Sequence, residues 1–140
     1  MYGAASTRTG NTVYGFGSNV TGKTASLYNV ANFTNSDVAL TIYDSGGSDT
    51  LNLSGFTVAQ RIDLRPGTWS DVGGLRNNFA IYTTTTIENA IGGSGNDRAT
   101  GNGADNRLEG RNGHDVLAGG VGMTRCSAGS AMTGSMAAPA

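Results

Sequence analysis

The sequence predicts an all-β fold in which short strands wind into a solenoid. Two observations carry this prediction. Apolar and polar residues alternate with a period of two in several segments of residues 1–91. From Gly92 onward the composition shifts to glycine, asparagine and aspartate, arranged in a nine-residue repeat. The chain holds 23 glycines and two prolines, and its glycines do not follow the three-residue register of collagen.

Residues 1–91 are predicted to form strands separated by turns. The alternating segments are SDVALTIYD, DTLNLSG, QRIDLR and NNFAIYTTTTIENAI. Apolar residues two apart share a strand face in three of them: Val38, Leu40 and Ile42; Leu51 and Leu53; Ile62 and Leu64. Gly, Ser, Asn and Asp between these runs favour strands over helices. TASLYNVANF, residues 24–33, is the one candidate helix. No linker is visible, so we expect one continuous β architecture.

The repeat follows the pattern G-G-x-G-x-D-x-U-x, where U is a large apolar residue. Its units begin at Gly92, Gly101, Gly110 and Gly119. Glycine permits positive φ angles, so the chain can turn tightly with its carbonyls pointing inward. The last three residues of each unit are predicted to form a short strand with U in the core. The predicted core positions are Ala99, Leu108, Leu117 and Cys126.

The sixth position of the repeat indicates metal binding. Two units make one coil of 18 residues, so Asp97 and Asp115 lie on the same side and are predicted to share an ion. Carboxylates combined with backbone carbonyls are hard oxygen ligands that suit Ca²⁺, and the pattern is typical of the calcium-binding repeats of RTX proteins. Asn106 pairs with Thr124, and because neither is charged, that site is predicted to be weaker. A flexible linker is the alternative, although a linker has no reason to place Leu and Asp at fixed offsets.

The chain as a whole resembles the C-terminal domain of serralysins, secreted zinc metalloproteases of bacteria. The resemblance covers residues 2–122 in order, through the stretches YGAASTRTGNTVYGFGSN, YDSGGSDTLNLSGF, SDVGGL, TIENAIGGSGND and the repeats that follow. It implies a parallel β-roll, with a β-rich N-terminal segment packed on its end, that binds several Ca²⁺ ions.

The resemblance also implies four groups of calcium ligands. The first is Arg8, Gly10, Thr12, Asp44, Gly46 and Asp49, and the second is Gly47, Asp49, Thr86 and Glu88. The third is Gly93, Gly95, Asp97, Gly110, Asn112 and Asp115. The fourth, the weaker site, is Asn102, Ala104 and Asn106 with Gly119, Val121 and Thr124. For Asp44 and Asp49, ordinary turn chemistry is the alternative.

The predicted function is non-catalytic. The zinc motif HExxHxxGxxH of the family does not occur, and the single histidine, His114, lies in a glycine-rich turn. We therefore expect no zinc in this chain, and a role in calcium-dependent folding and type I secretion of a zinc metalloendopeptidase parent. The expected partners are calcium ions, the parent protease domain and the secretion machinery, and the expected location is extracellular. No basic run points to nucleic acid, and no apolar stretch reaches the roughly 18 residues of a membrane span.

Three other functions stay open at this stage. The chain could be a free-standing structural or adhesive RTX module, or a fragment of another RTX enzyme such as an alginate epimerase. GSNVTGKT, residues 17–24, matches the Walker A pattern letter for letter. A nucleotide site also needs a flanking buried strand and a helix, so a chance match in a Gly/Thr-rich loop is the favoured explanation.

The predicted organisation is a β-rich part at 1–91, calcium-binding repeats at 92–122 and a tail at 123–140. Met-Thr occurs at 123–124 and again at 132–133, nine residues apart. Read one base earlier, the codons ATG-ACN contain GAC, which encodes Asp and restores the sixth position of both units. We therefore interpret the tail as out-of-frame or disordered; the alternative is a natural, divergent end.

Overall fold

A computed structural model of the chain describes residues 10–20, 40–120, 124–128 and 131–132. Their regular structure consists of twelve short strands: β1 Val13–Gly15, β2 Leu40–Ile42, β3 Thr50–Asn52, β4 Arg61–Asp63, β5 Trp69–Ser70, β6 Phe79–Ile81, β7 Asn89–Ile91, β8 Arg98–Thr100, β9 Asn106–Arg111, β10 His114–Ala118, β11 Thr124–Ala128 and β12 Ala131–Met132. None of these residues belongs to a helix that could cross a membrane. The candidate helix at 24–33 and Val38 lie outside the described residues.

Two parallel sheets form the opposite faces of a roll. The first sheet has the order β1-β3-β7-β9-β11 and the second the order β4-β8-β10-β12, and every pair of neighbours is parallel. From β7 onward the chain crosses from one sheet to the other at each turn, so one coil consists of two strands and two turns. The predicted parallel β-roll is confirmed.

The strand register sets the length of the coil. Ala90 pairs with Leu108 in the first sheet, and Ala99 pairs with Leu117 in the second. Each pair is separated by two nonapeptides, and all four side chains are buried. The core positions predicted at Ala99, Leu108 and Leu117 are therefore confirmed. Cys126 pairs with Leu108 through its backbone, and its side chain lies outside the described residues.

The N-terminal part of the chain shares both sheets with the repeats. β1 and β3 extend the first sheet, and β4 extends the second. The side chains predicted from the period-two pattern at Ile42, Leu51, Leu53, Ile62 and Leu64 are all buried in the common core. The boundary at residue 92 and the separate tail from residue 123 stay predictions.

A third sheet, with the order β2-β6-β5, packs beside the roll. β2 is parallel to β6, whereas β5 is antiparallel to it, with Trp69 opposite Ala80. The period-two pattern did not predict β5, because a two-residue strand is too short to show an alternation. An ion pair between Arg61 and Asp71, with nitrogen and oxygen 3.2 Å apart, joins β4 to the residue after β5.

The turn at residues 110–115 departs from the predicted repeat. β9 runs through Gly110 and Arg111, where three-residue strands were expected, so only Asn112 and Gly113 separate β9 from β10. Arg111 stands where the repeat has its second glycine, and its φ of 70° is unusual for a residue with a Cβ. This turn is therefore tighter than the equivalent turn at 92–97.

The paired strands continue past Met123. Thr124 in β11 lies beside Asn106 in β9, as the sequence predicted. In the second sheet Met132 lies beside Asp115. The register shifts between Ser127 and Ala128, so β12 is out of step with the 18-residue coil by one residue.

Candidate metal centres

The first cluster of polar groups consists of three residues that immediately precede strands of the first sheet and of Asp44, which follows β2 of the third sheet. We call Thr12, Asp44, Asp49 and Glu88 the Asp49 cluster. The register of β1, β3 and β7 stacks Thr12, Asp49 and Glu88 in consecutive coils. The Thr12 N–H donates to Asp49 Oδ1 at 2.9 Å, and the Asp49 N–H donates to Glu88 Oε2 at 2.7 Å. The strand pairing thus brings together carboxylates that are 39 residues apart.

Asp44 is held by one predicted ligand, Gly46, and by two residues that the sequence analysis did not single out, Tyr14 and Thr85. The Tyr14 hydroxyl donates to Asp44 Oδ2 at 2.5 Å, and the Gly46 N–H donates to Asp44 Oδ1 at 3.1 Å. The Asp44 N–H donates to Thr85 Oγ1 at 3.0 Å. Tyr14 and Thr85 are fully buried. Nothing in a run of four threonines distinguishes Thr85, whereas the predicted ligand Thr86 has an exposed side chain.

Glycine is required where the N-terminal segment meets the 44–49 turn. Gly47 has a φ of 116°, and a Cβ at this position would lie 2.3 Å from the Gly10 carbonyl oxygen. Two predicted ligands of different groups, Gly10 and Gly47, are therefore in close contact. Arg8, predicted beside Gly10, lies outside the described residues.

One oxygen of the Asp49 cluster lacks a partner in the described part of the chain. Asp49 Oδ2 is buried and receives no hydrogen bond from residues 10–20 or 40–120. Burial raises the pKa of Asp49, the Thr12 N–H lowers it, and the charges of Asp44 and Glu88 raise it, giving a pKa of about 6. A buried carboxylate with an unmet acceptor is costly, and a hydrogen-bond donor or a cation at this point would remove that cost.

The second cluster joins successive turns between the first and second sheets. We call Gly93, Gly95, Asp97, Gly110 and Asp115 the Asp97 cluster. The Asp97 N–H donates to Asp115 Oδ1 at 2.9 Å, so the two aspartates lie together as predicted. Asp97 accepts in turn from the Gly93 N–H at 2.8 Å. Its other oxygen accepts from the Gln60 N–H at 2.9 Å.

Gln60 and Gly113 complete this side of the roll, although neither was predicted as a site residue. Gln60 is buried and stacks on Asp97 in the preceding coil. Gly113 has a φ of 112°, and a Cβ there would lie 2.1 Å from the Gly95 carbonyl oxygen. The predicted ligand Asn112 is exposed. His114 is also exposed, and its backbone N–H donates to Asn96 Oδ1 at 2.9 Å.

Asp115 repeats the feature seen at Asp49. Its Oδ2 is buried, has no hydrogen-bond partner among the described residues, and packs against Gly110, where a Cβ would lie 2.3 Å away. Burial raises the pKa of Asp115, against the effects of the Asp97 N–H and His114. Burial also raises the pKa of Asp97; the N–H groups of Gly93 and Gln60 lower it, and the Asp115 charge adds to the rise.

The fourth predicted group has a different character. Asn102, Ala104 and Asn106 lie together in the 101–106 turn and form hydrogen bonds with one another. Gly119 is partly buried, Val121 lies outside the described residues, and Thr124 is described through its backbone alone.

The chemistry of these clusters is that of oxygen ligands. In the part of the chain that the structure describes, no three histidine, cysteine or acidic side chains converge as a compact metal site would. Each cluster instead combines carboxylates with nearby backbone carbonyls in glycine-rich turns. Hard cations take such mixed oxygen sets, whereas zinc prefers nitrogen and sulfur.

Comparison with known proteins decides the family. The family described as peptidase M10 serralysin C terminal matches residues 3–117. The chain belongs to this family. The resemblance predicted from the sequence is confirmed, and it favours a protease-associated domain over the epimerase fragment and the free-standing module.

Curated relatives of the chain are proteases of greater length. Serralysin of Proteus mirabilis is 52% identical over 109 residues, which are 77% of this chain and 21% of the relative. Serralysin G of Dickeya chrysanthemi is 46% identical over 110 residues, 78% of this chain and 22% of the relative. The metalloprotease AprA of Pseudomonas entomophila gives the same identity and coverage. The chain therefore spans about a fifth of the length of these relatives and matches their C-terminal domain.

Proposed function

We propose that this chain is a calcium-binding, non-catalytic domain of a serralysin-type metalloprotease, and that calcium drives its folding. The observation that carries the proposal is a pair of buried carboxylate oxygens, Asp49 Oδ2 and Asp115 Oδ2, that have no hydrogen-bond partner among the residues the structure describes. Each belongs to a cluster in which another carboxylate and glycine-rich backbone lie close by. Native proteins rarely leave such oxygens unmet.

The two clusters fit Ca²⁺ by the chemistry of their donors. Ca²⁺ takes six to eight oxygen ligands from carboxylates, carbonyls and water. Asp97 and Asp115 would hold an ion with carbonyls of the 92–97 and 110–115 turns. Asp44, Asp49 and Glu88 would hold ions at the 44–49 turn. When bound, Ca²⁺ supplies the positive charge that these clusters lack.

The residues themselves explain why folding would depend on the ion. Without the ion, burial and two nearby carboxylates raise the pKa of Asp49. Burial and the charge of Asp115 likewise raise the pKa of Asp97. The core of the roll is thin, since Ala90 and Ala99 occupy two of its positions. A fold of this kind is marginal until the carboxylates are neutralised.

This dependence suggests a role in secretion. In the calcium-poor cytoplasm the chain would stay unfolded, which suits export by a type I system. It would fold in the extracellular medium, attached to the protease domain of its parent. The parent's activity, zinc-dependent peptide hydrolysis, is proposed from the family, and the role of this chain in it is structural.

Calcium titration calorimetry on the 140-residue chain tests the binding. We expect wild type to bind several ions, and Asp97→Ala to lose one or to bind it at least about tenfold more weakly, because a charged ligand is removed. Asp105→Ala is the matched control, since Asp105 is an exposed carboxylate in a similar turn. Equal calcium binding by wild type and Asp97→Ala would contradict the proposal.

Export of the full-length parent tests the proposed role. A parent that carries Asp97→Ala together with Asp115→Ala should be exported but remain more sensitive to proteolysis outside the cell than wild type. The double variant should approach wild type only at a higher calcium concentration. Identical protease resistance at every calcium concentration would remove the structural role.

A further inference from the structure

The 101–106 turn contains a pair of buried asparagines, Asn102 and Asn106. Each is 4% exposed. They occupy the second and sixth positions of the repeat, where the pattern has glycine and aspartate. Asn106 therefore lies on the first-sheet side of the roll in the place that a calcium-binding aspartate would take.

Every polar atom of the two side-chain amides has a partner. Asn106 Oδ1 accepts from the Asn102 N–H at 2.9 Å, and Asn106 Nδ2 donates to Asn102 Oδ1 and to the Glu88 carbonyl, each at 2.9 Å. Asn102 Oδ1 also accepts from the Ala104 N–H at 3.0 Å. The pair is thus neutral and closed by hydrogen bonds.

Asn102 extends the network to the N-terminal part of the chain. Its Nδ2 donates to the Ile87 carbonyl at 2.8 Å and to the Leu64 carbonyl at 3.1 Å. These carbonyls lie 15 and 38 residues away, next to β7 and β4. One side chain therefore ties the turn to both sheets.

The contrast with the aspartate clusters is direct. Asp49 and Asp115 each bury a carboxylate oxygen that none of the described residues satisfies. Asn102 and Asn106 bury no charge and leave no amide atom unmet. The one carboxylate of the 101–106 turn, Asp105, is exposed. A cation beside Asn102 and Asn106 would therefore have no buried side-chain charge to neutralise, and it would have to displace N–H groups that already donate hydrogen bonds to the two amide oxygens.

We propose that the 101–106 turn is a metal-independent lock, in which the Asn102–Asn106 pair does the work that calcium does at the Asp49 and Asp97 clusters. At this turn the repeats are then held to the N-terminal β segment by hydrogen bonds without a metal ion, and calcium controls the other turns. This removes Asn102, Ala104 and Asn106 from the calcium ligands expected by resemblance. The inference rests on the proposed function for the contrast, but the metal independence of the turn can be tested by itself.

The test counts calcium ions bound to the 140-residue chain at saturation, by calorimetry and by metal analysis after gel filtration. Asn106→Ala should bind as many ions as wild type, yet melt at least about 4 °C lower in saturating calcium, because three buried hydrogen bonds are lost. Asp115→Asn, the control at the same position of the next unit, should bind one ion fewer. If Asn106→Ala also binds one ion fewer, the turn is a calcium site and the proposal is wrong.

A second variant guards against a failure of Asn106→Ala to fold. Asn106→Asp keeps the shape of the side chain and adds the missing charge, so we expect it to bind one ion more than wild type. An unchanged number of ions with tighter binding would mean that the turn already holds calcium, and would overturn the proposal.

The failure of the proposed function gives a different result. If wild type binds no calcium at all, the calcium proposal fails, and the lock is judged by melting temperature alone. The lock proposal then requires the melting temperature of Asn106→Ala to lie well below that of Asp105→Ala. Equal melting temperatures of those two variants would exclude the lock.

Discussion

Asp115→Asn is expected to shift stability in opposite directions with and without calcium. The substitution keeps the acceptor Oδ1, which receives the Asp97 N–H, and replaces the unpartnered Oδ2 with a neutral group. Leaving a buried polar atom unmet costs about 1–3 kcal/mol, and more when the group is charged. Removing the charge also relieves its repulsion of Asp97. We expect a net gain of about 1 kcal/mol without calcium, or roughly 3–5 °C in melting temperature for a domain of this size.

With calcium the same change removes a charged ligand. A loss of at least about tenfold in affinity corresponds to about 1.4 kcal/mol, so the variant should melt below wild type in saturating calcium. The assay is thermal unfolding followed by circular dichroism, in chelator with a stabilising osmolyte and in calcium with the same osmolyte. Asp105→Asn is the control, because it removes an exposed carboxylate outside both clusters, and its shift should have the same sign in both buffers.

The signs of the melting-temperature shifts in chelator and in calcium decide whether the Asp115 carboxylate is a calcium ligand. A variant that is destabilised equally in chelator and in calcium would show that Asp115 acts through ordinary packing. A variant that is unchanged in calcium would show that its carboxylate is not a ligand. Either result refutes the argument from the unpartnered oxygen.

Three further predictions concern the backbone strain at Arg111, the pH dependence caused by Asp49 and the burial of Leu108 in the core. Arg111→Gly should raise the melting temperature by up to about 4 °C, because glycine removes about 1–2 kcal/mol of left-handed strain at the cost of some chain entropy; Arg107→Gly, in the same strand, should lower it, and the reverse order would show that the φ of Arg111 is not strained. In chelator with the same stabilising osmolyte, the fold should lose stability as pH rises from about 4 to 7, since the folded pKa of Asp49, about 6, exceeds its ordinary value of 3.8, so the folded state holds the proton longer. Urea unfolding at several pH values measures this, with Asp49→Asn as the variant that should flatten the slope; an equal slope in the variant assigns the effect to other groups. Leu108→Ala should lower the free energy of unfolding in urea with calcium by about 2–5 kcal/mol, because its side chain is fully buried between coils. Val58→Ala, at an exposed side chain, should lower it little. Equal losses in the two variants would show that Leu108 is not part of the core.

The repeating part of the fold could be predicted from local patterns. The spacing of Leu108 and Leu117 fixes which residues face the core, and the 18-residue separation of Asp97 and Asp115 fixes which turns meet. Both follow from the geometry of a coil with two strands and two turns. A periodic sequence constrains each unit through its neighbours, so one correct alignment predicts all of them.

The contacts outside the period could not be predicted in the same way. The bond from the Tyr14 hydroxyl to Asp44 spans 30 residues, and the contact of Gln60 with Asp97 spans 37. No local pattern marks either residue, because each takes its role from the register between distant strands. Arg111 shows the opposite failure: the period predicts a glycine turn there, but the strand continues through an arginine with a positive φ.

The asparagine pair shows that the calcium ligands were predicted from the position of a residue in the repeat more than from its charge. The repeat pattern alone aligns Asn102 and Asn106 with calcium ligands. Their hydrogen bonds to Leu64, Ile87 and Glu88 come from segments outside the repeat. The missing charge is visible in the sequence, whereas the backbone carbonyls that accept hydrogen bonds from the two amides are not.

Calcium titration of the 140-residue chain by far-ultraviolet circular dichroism tests the central claim most directly. Calcium at millimolar concentration should increase the β signal cooperatively, since neutralising the Asp49 and Asp97 clusters removes the charge repulsion that opposes the roll. Asp97→Ala should need more calcium for the same change. A spectrum that does not change on adding calcium would contradict the account of this chain as a calcium-folded domain.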